Sequence, residues 1–189
     1  MLEAAPQVTR LQDYQPPAWL VPNIELDIDI RAESTTVRAN LSVVRNPESA
    51  GDAPPFELDG DDLEHLTVSI DGRALGSDEY SVSASKLEIA RPPERFELTT
   101  AVRVDPDNNT QLMGLYRSSD GYFTQCEAEG FRRITWFPDR PDVMSRYITT
   151  IHADADAFPL LLSNGNFDAE GQEDGNRHWA RWLDPFPKP

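Results

Sequence analysis

Every second residue from Ile24 to Ile30 is apolar: Ile24, Leu26, Ile28 and Ile30 alternate with Glu25, Asp27 and Asp29. Successive side chains of a strand point to opposite faces, so this spacing predicts a strand with one buried and one wet face. Val37, Ala39, Leu41 and Val43 repeat the pattern against Arg38, Asn40 and Ser42. The polar link from Arg31 to Ser34 predicts a hairpin between the two runs. Leu66, Val68 and Ile70 continue the alternation and stop at Asp71-Gly72, a dipeptide that favours a tight turn. Tyr80 and Val82, Leu87 and Ile89, then Phe96, Leu98, Val102 and Val104 predict further short strands. Only Asp139 to Ser145 is compatible with a helical turn, and no longer window carries the 3.6-residue period. The 16 prolines among 189 residues point the same way, because proline breaks helices and is confined to loops and strand edges. The expected fold class is all-β: a β-sandwich of mostly antiparallel strands, one domain spanning residues 1–189.

Charge narrows the partners. The chain carries 33 acidic and 17 basic residues, a net charge of −16. Such a surface repels phosphate backbones and anionic lipid, so neither nucleic acid nor a membrane is an expected partner. Apolar runs of only a few residues, such as Leu160–Leu162, predict no membrane span. A lone Cys126 cannot form an internal disulfide, and Met1–Pro6 lack the basic and apolar regions of a leader. Both point to a cytoplasmic location. The final Asp184-Pro185-Phe186-Pro187-Lys188-Pro189 reads as a linker towards a further domain. Acids outnumber bases 21 to 9 before residue 110 and 12 to 8 after it, and the later stretch holds 12 of the 17 aromatic residues. Aromatics there fill a core. They also suit a docking surface, since interface centres favour aromatics and shed charge.

Most catalytic chemistry is missing. His65, His152 and His178 form neither a His-Glu-x-x-His motif nor an i, i+4 pair, so no zinc site is expected in this chain. There is no Gly-x-Ser-x-Gly elbow and no phosphate-binding glycine loop. Asp105–Asn109 begins like a calcium loop, but its sixth position is Thr110 and its twelfth Tyr116. Asp59-Gly60-Asp61-Asp62 reads as a solvated turn. The segment Thr124-Gln125-Cys126-Glu127-Ala128-Glu129-Gly130 carries the one notable signal. In an extended chain Gln125, Glu127 and Glu129 share a side. Tyr122, Phe123 and Phe131 flank them and predict partial burial, where carboxylates need cationic or hydrogen-bonding partners. By spacing alone, Glu127 or Glu129 pairs with Arg132 or Arg133, and Cys126 faces the other way as a small apolar residue.

Several ordered blocks add to this reading. They are Gly114-Leu115-Tyr116, the run from Thr124 through Gly130-Phe131-Arg132-Arg133-Ile134-Thr135, Asp139-Arg140-Pro141-Asp142-Val143, Leu162-Ser163-Asn164-Gly165-Asn166, and His178-Trp179 leading to Asp184–Pro189. Together they resemble the bacterial aminopeptidase N family of zinc gluzincins, across essentially the whole chain and most densely over 114–189. The resemblance implies the N-terminal β-sandwich domain of a metalloaminopeptidase that removes N-terminal amino acids from peptides, a domain whose partner is the catalytic domain of the same polypeptide, on which it packs. Zinc would belong to the full-length enzyme, in a catalytic domain absent from this chain, and the chain alone would be inactive and bind no metal. Within Thr-Gln-x-Glu, the resemblance implies that Gln125 and Glu127 bind the N-terminus of the peptide substrate, and that the Glu127–Ala128 peptide bond is cis. Glu129 acquires no role from it. Without the resemblance, the all-β pattern and the aromatic-rich second part favour a stand-alone β-sandwich module that binds a protein or a carbohydrate.

Overall fold

The computed structural model describes residues 10–49 and 51–189. The leader reading rests on Met1–Pro6, which lie outside the described residues. Strand β1 (Trp19–Ile30) pairs antiparallel with β2 (Thr35–Arg45), and the Arg31 N–H donates to Ser34 O at 3.0 Å to close the hairpin. The chain continues through β3 (Phe56–Asp59), β4 (Glu64–Ile70), β5 (Arg73–Ala74), β6 (Tyr80–Val82), β7 (Lys86–Ile89) and β8 (Arg95–Val104). It then forms β9 (Gly114–Ser118), β10 (Gly121–Gln125), β11 (Ser145–Asp154), β12 (Asn166–Glu173) and β13 (Arg177–Lys188). Asp71 and Gly72 both take positive φ, 50° and 78°, as the two-residue turn between β4 and β5 requires.

Eight strands form one sheet in the order β12-β13-β11-β1-β2-β8-β4-β5. All its neighbours are antiparallel except β1 and β11, which run parallel across a connection of more than a hundred residues. A three-stranded sheet, β3-β7-β6, lies over it. The alternating rows of β1, β2 and β8 are buried together with Phe56, Leu58, Leu87 and Ile89 of the small sheet. The fold is therefore all-β with a sandwich core. Trp19, Phe56 and Phe96 join the two layers edge to face, with ring centroids 5.7 to 6.0 Å apart, a favoured aromatic geometry.

Two local expectations change. The alternation in β4 shifts phase, because the ladder to β8 slips between His65 and Thr67. His65 therefore turns towards the Tyr80 and Trp136 rings, while Leu66 faces solvent. Asp139 to Ser145 forms no helical turn. The chain makes a bend at Pro141–Asp142, held by the Val143 N–H on Arg140 O at 3.2 Å, and β11 starts at Ser145. Seven residues cannot repay the cost of helix nucleation when strand pairing is on offer. A 3₁₀ turn forms instead at Phe131–Arg133.

Candidate functional site

Strands β9 and β10 make a separate two-stranded hairpin, with Phe123 opposite Tyr116 and Gln125 opposite Gly114. Alternate residues of β10 divide its roles. Tyr122 stacks on Phe158, centroids 5.2 Å apart, and its hydroxyl donates to Asp107 at 2.8 Å. Phe123 and Gln125 are exposed. Gly114 lets the hairpin root against the 3₁₀ turn: it has φ +72°, and a Cβ there would lie 2.5 Å from Arg133 Cβ.

β10 ends at Gln125, and the chain turns sharply over Glu127–Gly130. The Glu127–Ala128 peptide bond is cis, as the family resemblance implies, and Glu129 has φ +63°. The Gly130 N–H closes the turn on Cys126 O at 2.9 Å. The extended reading therefore holds only up to Cys126. Partial burial fails as well: Gln125, Glu127 and Glu129 are all exposed, because the turn lifts them off the core. Cys126 packs inward, and burial, with the Asp139 and Glu127 charges behind it, pushes its thiol up to about 11.

The 3₁₀ turn that follows is firmly anchored. Phe131 meets Phe137 and Tyr147 edge to face, centroids 5.1 and 5.8 Å away. The Arg132 backbone N–H and Nε both donate to the Asp139 carboxylate, at 3.1 and 2.9 Å, and its Nη2 donates to Asp139 O at 3.0 Å. The Asp139 N–H in turn donates to Asp59 Oδ2 at 3.1 Å. Arg133 is buried and gives its guanidinium to Asp61 and Asp62. Asp59–Asp62 is thus an anchor for both arginines rather than a mere solvated turn. No local signal shows this, since the partners lie more than seventy residues away in sequence.

These pairings settle where the nearby charges go. Glu129 approaches Arg132 at 3.6 Å, whereas Glu127 meets neither arginine. Among the described residues its carboxylate has no hydrogen bond and no ion pair. Gln125 Nε2 donates to Glu127 O at 2.9 Å. That contact uses one of the two amide N–H donors and leaves the carbonyl oxygen open as an acceptor. The turn so offers two acceptors, a carboxylate and an amide oxygen, on an exposed but anchored loop.

Among the described residues no group of three or more His, Cys, Asp and Glu side chains is placed to hold a metal. His152 lies between Glu173 and Asp27 at 2.7 and 3.2 Å, His178 contacts Phe158 O at 2.8 Å, and His65 sits against two aromatic rings. The described residues offer no set of ligands that fits a zinc centre.

The fold and the turn define an all-β domain with two hydrogen-bond acceptors exposed on one loop. Residues 22–189 match the Peptidase M1 N-terminal domain, and the chain belongs to that family. It is 50% identical over 184 residues to aminopeptidase N of Caulobacter vibrioides and 44% identical over 184 residues to aminopeptidase N of Escherichia coli K12. Each alignment covers 97% of this chain and 21% of the relative. The structure of Legionella pneumophila aminopeptidase A in complex with aspartic acid matches with a TM-score of 0.91 and 31% identity, over 96% of this chain and 21% of that one. An M1 zinc metallopeptidase from Deinococcus radiodurans shares the fold at a TM-score of 0.73 and 17% identity, over 91% of this chain and 40% of that one. The chain spans about a fifth of the length of the relatives named aminopeptidase N. A stand-alone binding module is not favoured by these matches.

Proposed function

We propose that this chain, residues 1–189, is the N-terminal domain of a cytoplasmic zinc metalloaminopeptidase, and that Glu127 and Gln125 bind the α-ammonium of the peptide substrate. The observation that carries the reading is the Glu127 carboxylate, exposed on an anchored turn with no partner among the described residues. A free α-amino group has a pKa of about 7.7–8.0, so at neutral pH it is mostly a cation. It can donate charge-assisted hydrogen bonds to the carboxylate and to the open amide oxygen of Gln125. An internal peptide nitrogen carries no such charge, so the turn distinguishes a chain end from the middle of a chain. Zinc supplies Lewis-acid chemistry in such an enzyme, from a catalytic domain that this chain does not contain. The chain's own residues contribute binding and orientation, and alone it hydrolyses nothing. The matched structures agree in kind: one carries aspartic acid, and a Deinococcus radiodurans variant carries a Tyr-Ser-Ala substrate.

Replacement of Glu127 by alanine in the full-length parent tests the reading. One charge-assisted hydrogen bond is worth roughly 1.5–3 kcal/mol, so kcat/KM should fall roughly 10- to 100-fold on a peptide with a free N-terminus. The unfolding temperature should not move, since the side chain is exposed and unpaired. Unchanged kinetics would remove Glu127 from substrate binding.

A further inference from the structure

We infer that the Phe123–Tyr116 ring pair on the β9–β10 hairpin is a ledge for the side chain of the third residue of the peptide substrate, and that it favours an apolar or aromatic residue there. The inference rests on the reading above, that Glu127 and Gln125 hold the amino terminus, and it names the class of peptide that the same site takes.

Strand alternation places the ledge. Tyr122 and Thr124 occupy one face of β10, and Tyr122 ties that face to Phe158. Gly121, Phe123 and Gln125 occupy the other. Register adds Tyr116 and Ser118 of β9 to this second face. Tyr116 and Phe123 meet on it with ring centroids 6.4 Å apart. A Cβ on Gly121 would lie 3.3 Å from Phe123 Cε2, so the Phe123 ring leans over Gly121, towards the hairpin tip and away from Gln125. Phe123 is 52% exposed there, and Tyr116 is half-buried beside it. A single exposed aromatic is ordinary on a surface, but a pair that shares its face with the acceptors of a candidate site is placed to touch what those acceptors hold.

Distance selects the substrate residue. Gln125 and Phe123 stand roughly 7 Å apart along the strand. The Gln125 amide reaches forward to Glu127 O and the Phe123 ring leans back, so both widen the gap. With its ammonium at the two acceptors, a peptide holds its first side chain well short of the ring. In an extended peptide the third residue follows the first by roughly 7 Å and points to the same side, whereas the second points away. The third side chain is therefore the one that spans the gap. Beyond Glu129 the chain folds back onto the core through Phe131 and the Arg132–Asp139 pair, so the exposed face of the hairpin is the open route from the acceptors. An apolar side chain laid on the two rings leaves water, and an aromatic one adds an edge-to-face or offset contact.

The test measures kcat/KM of the full-length parent on Ala-Ala-Phe-amide and Ala-Ala-Gly-amide, read by mass spectrometry as the initial loss of the intact tripeptide. Both have a free amino terminus and the same first peptide bond, so their ratio isolates the third side chain. The aromatic contact should favour the Phe peptide about 3- to 10-fold in the wild type. In Phe123→Ala the ratio should fall to about 1, with the loss borne by the Phe peptide, and Phe123→Leu should recover part of it. Equal kcat/KM on the two peptides in the wild type overturns the inference. A ratio that survives Phe123→Ala also overturns it, and a uniform fall on both peptides would then assign the ring to packing within the parent. Glu127→Ala on the same peptides separates the two readings, since it should lower both alike and keep their ratio. If it does so while Phe123→Ala leaves the ratio intact, the ledge alone fails. If Glu127→Ala changes neither peptide while Phe123→Ala removes the preference, only the amino-terminus reading fails.

Discussion

Replacement of Gly130 by alanine should damage the turn through space, not through backbone conformation. Gly130 has φ −88° and ψ −15°, values that any residue adopts. A Cβ at this position, however, would stand 2.5 Å from Gln125 O, 2.8 Å from Cys126 Cα and 3.1 Å from Met113 Cε. The methionine can yield, whereas the other two atoms are backbone and must move by several tenths of an ångström. Overpacking of this kind costs about 1–3 kcal/mol. For a chain of this size each kcal/mol lowers Tm by about 2–4 °C, so a fall of about 2–12 °C is expected. The displaced atoms flank Glu127, and a shift approaching 1 Å can cost up to about 100-fold in turnover. Thermal unfolding of the 189-residue chain and kcat/KM of the parent read the two effects separately. Gly175→Ala is the control, since Gly175 has φ +75° and no atom within 4 Å of a new Cβ. It should lower Tm by a comparable few degrees through backbone strain alone and leave kcat/KM intact. Gly130→Ala with the wild-type unfolding temperature in this chain and the wild-type kcat/KM in the parent would refute the steric account of the turn.

Two further outcomes follow from buried and paired charges. Both His65 ring nitrogens are buried without a partner, and burial holds the imidazole pKa below its ordinary value. The unfolded chain then binds the extra proton first, so His65 contributes stability that is complete above about pH 6.5 and is lost as pH falls from there to the folded-state pKa. Denaturant unfolding at pH 7 and pH 5 should show a smaller loss for His65→Phe than for the wild type, and equal losses would exclude His65 as the titrating group. Asp139→Asn removes the charged acceptor of Arg132, which should cost about 1.5–3 kcal/mol and lower Tm accordingly. The freed guanidinium can then neutralise Glu127, so KM for a free-amine peptide should rise more than kcat falls. A lower Tm with an unchanged KM would make Asp139 a purely structural residue.

The sequence pattern is a good guide wherever a strand buries one face only. Ile24 to Ile30 and Val37 to Val43 keep a strict period of two because their other face meets water, and β1 and β2 pair in the register this demands. Phe96 to Val104 keeps it too, with Thr100 filling the one polar gap in the buried row. The pattern fails where a bulge inserts a residue, as at His65–Thr67, since one extra residue inverts every side chain after it. It is also silent on the parallel pairing of β1 with β11. Nothing local encodes a partner more than a hundred residues away.

The site shows the same divide, with a consequence for its chemistry. Proximity in sequence offers Arg132 and Arg133 to Glu127, and had they paired the carboxylate would be neutralised and closed to a cationic ligand. Instead Asp139 takes Arg132, while Asp61 and Asp62 take Arg133. Asp139 is itself fixed by Asp59, which also pairs with Lys86 at 2.9 Å. Four aspartates thus absorb the cations around the turn, three of them from the one loop that ends β3. Asp59, Asp61 and Asp62 belong to the strongly acidic first part of the chain, where bulk charge suggests no more than solubility. Their placement keeps one glutamate uncompensated at the single point where the turn projects from the core. An uncompensated carboxylate in water costs little, because solvent satisfies it until a ligand arrives. Buried, it would need a permanent partner and could not exchange it for a substrate. Exposure of Glu127, contrary to the burial that its aromatic neighbours suggest, is therefore a condition of the proposed binding role and not an objection to it.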